Sequence, residues 1–384
     1  MNNRKIDNMR ETQVRFFLIT GMVLILFTVT GCGPSPADLA AVDYTPLPGD
    51  NWEVSTPEAE GLDPLLVAEL YYEAAQLDRI YSLLVVKNGK LIAEKYFHEG
   101  SIDQQNNAQS VTKSYFSALV GIALDQGCLS SVDQTLLEFF PEYADQIDDP
   151  RKEEITIRHL LQMRSGYPLE ESHPDLADRF FGGEGNWLPL IVDFPLTSDP
   201  GTKFQYSNFS SYLLGAIVSR ACAVDLKEFA EAYLFDPTNT ELGEMWQDDF
   251  GFYYPNLHAT ARDQARFGQL YLDDGVYNGE QIIPAGFVHD SLQNYTQDPP
   301  AAINRRNYER SAYGYQWWEV QTGDRTYESA QGHGGQVIAL VDEHDMVVVL
   351  TADPFWLQWG DEHWENEKAN NYLVADFIAS LPSE

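Results

Sequence analysis

The 384-residue chain is 44% hydrophobic and 13% aromatic, so it can bury a sizeable core and is not globally disordered. Its length suits one large domain or two ordinary ones. A formal net charge of -35 gives a surface that repels phosphate backbones, which argues against a nucleic-acid partner; solubility is the simpler meaning of the acidity.

In chain order, the first element is an address. Basic residues up to Arg15 precede an apolar run over residues 16–29 that is short for a membrane span and ends in Val29-Thr30-Gly31-Cys32. Small residues before a cysteine resemble a bacterial lipobox. Residues 1–31 are therefore expected to be a lipoprotein signal peptide, with Cys32 the lipidation site and an uncleaved signal anchor the alternative. Residues 32–52 read as a tether, because they hold Pro, Ala and Gly without periodicity. An acyl chain on Cys32 would hold an extracytoplasmic domain, residues 53–384, at a membrane on the periplasmic or cell-surface side.

Residues 62–77 have helical apolar spacing. Residues 81–87 and 90–97 flank Asn88-Gly89, the turn signal of a two-stranded antiparallel hairpin. From about 108 to 309 the pattern is mostly helical. Strand signals return at 313–320, 336–341 and 346–351, and a last helix is expected over 365–381. The reading is an α+β fold: one antiparallel sheet built from both termini, with flanking helices and an inserted helical lobe over 108–309.

Three short motifs carry the chemistry. Ser110-Val111-Thr112-Lys113 opens a helix that is apolar on every face and therefore buried. Lys113 lies one turn beyond Ser110, on the same face. A lysine in that place is costly without a task, and burial disfavours its charged form, as a general base requires. The helix start also offers backbone N–H groups to a developing oxyanion. A capping serine with a snorkelling lysine is the structural alternative. Tyr206-Ser207-Asn208 follows the turn Pro200-Gly201-Thr202 and precedes an apolar helical run. A second Tyr-x-Asn, at Tyr254, contains a proline and reads as structural. His333-Gly334-Gly335 precedes a strand, and its glycines allow close backbone approach to a ligand.

Together these motifs resemble the class C β-lactamase-related serine hydrolases, a family that includes penicillin-binding-protein-like peptidases, esterases and aminohexanoate-oligomer hydrolases. The segments 109–114, 157–166 and 261–263 resemble family segments in the expected order. The resemblance implies a β-lactamase/transpeptidase-like fold with the site between sheet and helical lobe. It implies Ser110 as nucleophile, Lys113 as its activator and Tyr206 as proton shuttle. Asn208, His333, Gly334 and Gly335 would contact substrate, and the N–H groups of Ser110 and Gln336 would form the oxyanion hole. The family's β-lactamases carry lysine where His333 stands. Histidine offers a weaker anchor for a substrate carboxylate, so a small uncharged ester or amide is the expected substrate. A D-alanyl carboxypeptidase or β-lactamase-type amide hydrolase, and a non-catalytic penicillin-recognition-like sensor, are the alternatives.

No metal-site spacing, phosphate loop or dinucleotide fingerprint occurs, so no metal and no cofactor are expected. Cys128 and Cys222 close helices that both start at the proposed site; a disulfide between them and two buried free thiols are both open. Residues 355–359 read as aromatic packing under the last helix, and residues 180–187 as a mobile loop able to cover the cavity.

Overall fold

The computed structural model describes residues 33–49, 52–170, 186–297, 310–355 and 361–383. The signal-like segment, Cys32, residues 180–185 of the proposed covering loop and residues 356–359 of the aromatic segment lie outside the described residues.

β1 (Ile80–Lys87) and β2 (Lys90–Tyr96) form the expected hairpin, with positive φ at Asn88 and Gly89 as its tight turn requires. β3 (Asn106–Asn107), β4 (Met245–Gln247) and β5 (Tyr253–Ala259) make a small second sheet, and β6 (Val276–Tyr277) with β7 (Glu280–Gln281) makes a ribbon. β8 (Thr296–Gln297), β9 (Arg310–Tyr313), β10 (Trp318–Thr322), β11 (Arg325–Gly332), β12 (Gln336–Val341) and β13 (Met346–Ala352) belong to the main sheet. Among the described residues that sheet has eight antiparallel strands in the order β2-β1-β13-β12-β11-β10-β9-β8.

The sheet is therefore closed from both chain ends: Lys87 pairs with Met346 and Val85 with Val348. Alternation across β1, β12 and β13 explains the layers. Leu83, Val85, Val337, Ala339, Val348 and Leu350 face helices Pro64–Ala74 and Asp361–Ala379. Leu84, Val86, Ile338, Leu340, Val347 and Val349 face the other way, into the core shared with helices Thr112–Asp125, Asn208–Cys222 and Ala261–Leu272. Burial on both faces is why these strands read as continuous apolar runs.

The structure differs from the sequence reading in both the sheet and the inserted stretch, where short strands stand among the helices. The expected strand over 313–320 is two strands, broken at Gly314–Trp317, where Gln316 adopts φ +63. β11 carries no apolar run and was not anticipated; its sequence is Arg-Thr-Tyr-Glu-Ser-Ala-Gln-Gly. Helix Ala261–Leu272 falls inside the expected lobe but packs on the sheet, with Arg262 forming a buried 2.6 Å ion pair to Glu94 of β2.

Part of the segment read as tether is docked. Ser35 caps a short helix, Pro36–Ala40. Farther on, the Tyr44 carbonyl accepts from the Glu94 N–H, and the Tyr44 ring meets Tyr71 at 5.4 Å. Leu47 N–H donates to the Glu94 carboxylate, while Arg262 donates to the Leu47 carbonyl. The chain thus extends, at Glu94, the cover of the β2 edge that residues 53–55 supply at Leu91. Among the described residues no single helix is long and apolar enough to cross a membrane.

Candidate active site

Ser110 sits in the 3-10 turn Gln109–Val111 that feeds helix Thr112–Asp125. Gln109 before it has φ +50, a conformation that costs a non-glycine residue free energy and must be held by its surroundings. The holders are local and long-range. Asn107 Oδ1 accepts from the Gln109 N–H at 2.9 Å, and the Leu257 carbonyl accepts from the Ala108 N–H at 2.9 Å. Thr112 Oγ1 in turn accepts from the Leu257 N–H.

Lys113 is 2% exposed, and its Nζ donates to Ser110 Oγ at 2.7 Å. The same Nζ lies 5.1 Å from the centroid of the Tyr206 ring. Three residues separated by 96 positions in sequence thus form one cluster. Tyr206 is held from its far side, its ring stacked on Trp318 at 6.0 Å with Tyr313 edge-on at 6.4 Å.

The segment 157–166 turns out to be the cradle for Tyr206. Met163, at φ +54, accepts from the Gln205 N–H through its carbonyl and from the Ser207 N–H through its sulfur. Asn208 is the first residue of helix Asn208–Cys222, after the N-cap Ser207. Its amide nitrogen donates to Glu170 at 3.3 Å, so a residue assigned to substrate is also tied into the helix cap.

His333, Gly334 and Gly335 form the turn between β11 and β12, and Gly332 before it lies against the residues that lead into Ser110. A side chain at Gly332 would meet the Ala108 carbonyl at 2.6 Å and Gln109 Cβ at 3.0 Å, so β11 can approach Ser110 only with glycine there. Gly334 and Gly335 have φ +81 and +89. Gln336 pairs with Gly332, and its side chain is bonded at both ends to the main chain of Ala352. Tyr254, read as structural, packs edge-on to Trp187 at 4.4 Å.

Three supports of the site were not found from sequence. Glu170, wholly buried, caps the helix that follows Tyr206. Gln316 ties the break between β9 and β10 to three helices: its carbonyl accepts from Ser114 Oγ, its Oε1 from Ser211 Oγ, and its Nε2 donates to the Leu160 and Leu161 carbonyls. Glu367 lies under the His333 turn. None of the three stands out by periodicity; Gln316 alone, between aromatic residues, carries a signal, since a polar side chain among core positions needs a partner.

Cys128 and Cys222 are joined by a disulfide, with Cα atoms 4.9 Å apart, at the ends of the two site helices remote from Ser110 and Tyr206. Among the described residues no group of His, Cys, Asp and Glu could hold a metal ion.

Residues 81–355 match the family model described as Beta-lactamase. The chain is 26% identical over 299 residues to a 6-aminohexanoate-dimer hydrolase of Paenarthrobacter ureafaciens, covering 74% of each protein. Its fold is similar to a putative 6-aminohexanoate-dimer hydrolase from Bacillus anthracis (TM-score 0.65, 21% identity, 89% of each chain). It is also similar to EstCE1, a hydrolase with promiscuous acyltransferase activity (TM-score 0.61, 16% identity, 82% of this chain and 98% of that one). A motif set assembled between an antiparallel sheet and its helices, and a family match running from β1 to the end of β13, lead to one assignment: the chain belongs to the Beta-lactamase family and is a hydrolase of that fold.

Proposed function

We propose that this hydrolase is a serine enzyme that forms an acyl-enzyme on Ser110 and acts on a small uncharged ester or amide. The observation that carries the reading is the 2.7 Å hydrogen bond from the buried Lys113 ammonium to Ser110 Oγ. In the reacting state the lysine is neutral and takes the Ser110 proton as Oγ attacks the substrate carbonyl. The N–H groups of Ser110 and Gln336 hold the oxyanion; the contact of Gly332 with Ala108 and Gln109 supports this, since it brings the start of β12 beside the nucleophile. Tyr206 delivers a proton to the leaving alcohol or amine, and water then releases the acyl group. Asn208, His333, Gly334 and Gly335 border the substrate.

Intact-mass measurement after brief exposure to p-nitrophenyl butyrate tests this. Wild type should gain one butyryl group on Ser110, and Ser110→Ala should gain none and lose hydrolysis while remaining folded. An alanine variant that still turns over the ester at a comparable rate refutes the mechanism. A wide wild-type preference for nitrocefin over the ester would instead favour a β-lactamase-type activity.

For its location, the proposal is a lipid on Cys32. The basic residues, the apolar run and the small residues before the cysteine support it. Cys32→Ser should release the protein from the membrane fraction, and a variant that stays membrane-bound after processing refutes the anchor.

A further inference from the structure

The third motif is gripped from below by one face of the last helix. Trp364, Glu367 and Asn370 recur every third residue of Asp361–Ala379. Trp364 meets the His333 ring edge-on at 5.4 Å, and Asn370 Nδ2 donates to the Gly334 carbonyl at 3.0 Å. Between them, Glu367 Oε2 lies 3.2 Å from His333 Nδ1 and accepts from the Gly334 N–H at 3.1 Å. The Glu367 side chain is 7% exposed and that of His333 24%, so the carboxylate lies beneath the imidazole and the imidazole lies nearer solvent.

Resting on the serine-hydrolase reading, we propose that Glu367 is a specificity-determining residue: paired with His333, it keeps the third motif from ever presenting a positive charge, so that the site takes uncharged or cationic acyl groups and discriminates against anionic ones. The argument counts charges. With a neutral imidazole, the pair carries one negative charge, that of the Glu367 carboxylate. With an imidazolium, the pair is neutral. In neither state is the pair cationic, whereas a lysine at this position without a carboxylate partner would carry a full positive charge toward a substrate carboxylate. Gly332, next to His333 at the start of the turn, abuts Ala108 and Gln109, which lead into Ser110, so the charge of the pair is felt at the acyl group.

Glu367→Gln in the full-length protein tests this. The amide oxygen can still accept from the Gly334 N–H, while the local charge rises by one in either protonation state of the histidine. The kcat/KM for mono-p-nitrophenyl glutarate, an anionic ester, relative to that for neutral p-nitrophenyl butyrate should rise about tenfold. Glu365→Gln, which removes an exposed charge from the same helix, should leave the ratio within about twofold of wild type and so separates a local effect from that of net charge. His333→Asn keeps the Glu367 charge without an imidazolium, so its ratio should equal or fall below that of wild type. An unchanged ratio in Glu367→Gln, or a raised one in His333→Asn, overturns the assignment. The butyryl adduct on Ser110 reports the serine mechanism separately: its absence in wild type defeats that mechanism, and its presence with an unchanged ratio defeats only the role of Glu367.

Discussion

Glu170 accepts a 2.7 Å hydrogen bond from the Ser207 hydroxyl at a depth where it has no exposed surface. The same carboxylate accepts from the Phe209 N–H, the Asn208 N–H and Asn208 Nδ2. Negative charge is favourable at a helix N-terminus, and here it also consumes donors that would otherwise be orphaned. Glu170→Ala should cost about 2–4 kcal/mol, because several buried donors lose their acceptor at once. Glu170→Gln should cost less and retain more ester hydrolysis, since its amide oxygen keeps part of the set. Urea-unfolding midpoints check this; an alanine variant with the wild-type midpoint would show that the cap is dispensable.

Replacing Lys113 separates catalysis from stability. Lys113→Met removes the group bonded to Ser110 Oγ and fills its buried site with an apolar chain. Ester kcat/KM should fall about 10²–10⁴-fold, while the melting temperature stays level or rises. Activity within threefold of wild type would take the lysine out of the mechanism.

Stability should carry a pH signature from β11. Burial pushes the Glu328 carboxyl up to about 7, and the like charge of Glu319, directly opposite on β10, adds to the shift. The folded value lies above the ordinary 4.5, so the unfolded chain releases its proton first as pH rises. The favourable contribution is complete below about 4.5 and is lost as pH climbs through 7. Glu328→Gln should therefore gain about 1–2 kcal/mol over wild type at pH 8 and nothing at pH 4. Equal gains at the two pH values, measured by denaturant titration, would refute this account.

The Cys128–Cys222 bond should be worth about 2–4 kcal/mol, since it closes a long loop of the unfolded chain. Cys222→Ser should lower the unfolding midpoint accordingly. Peptide mapping without reductant should recover the two cysteines in one linked species, and an unlinked Cys128 in oxidised protein would contradict the bond.

What the sequence made legible was local. The Asn88-Gly89 hairpin, the buried Ser110 helix and the Ser-x-x-Lys spacing each follow from residues a turn or a few positions apart. The placement of Tyr206 and the His333 turn was legible through resemblance, as motifs in a known order. What was not legible depends on partners far along the chain. Gln316 reads as one polar residue in a strand-like run, and only the fold gives it Leu160, Leu161, Ser114 and Ser211. Glu367 reads as one of several acids on a polar helix until the His333 turn is laid against it. β11 escaped notice because Glu328, Ser329 and Gln331 hide the apolar alternation that would mark a strand.

The pairing of β1 with β13 also fixes a sequence of events. The hairpin that starts the sheet is made early in synthesis, yet its inner edge stays open until the last strand arrives from the far end of the chain. Until then Leu84 and Val86 lack the neighbours that cover them, and helix Ala261–Leu272, whose Gly268 lies against Ile338 and Val347, lacks its floor. Such long-range closure makes folding slow and leaves apolar surface exposed along the way. A nascent chain stopped short of β13 would thus be prone to aggregate, so that the C-terminal strand acts as the step that seals the core.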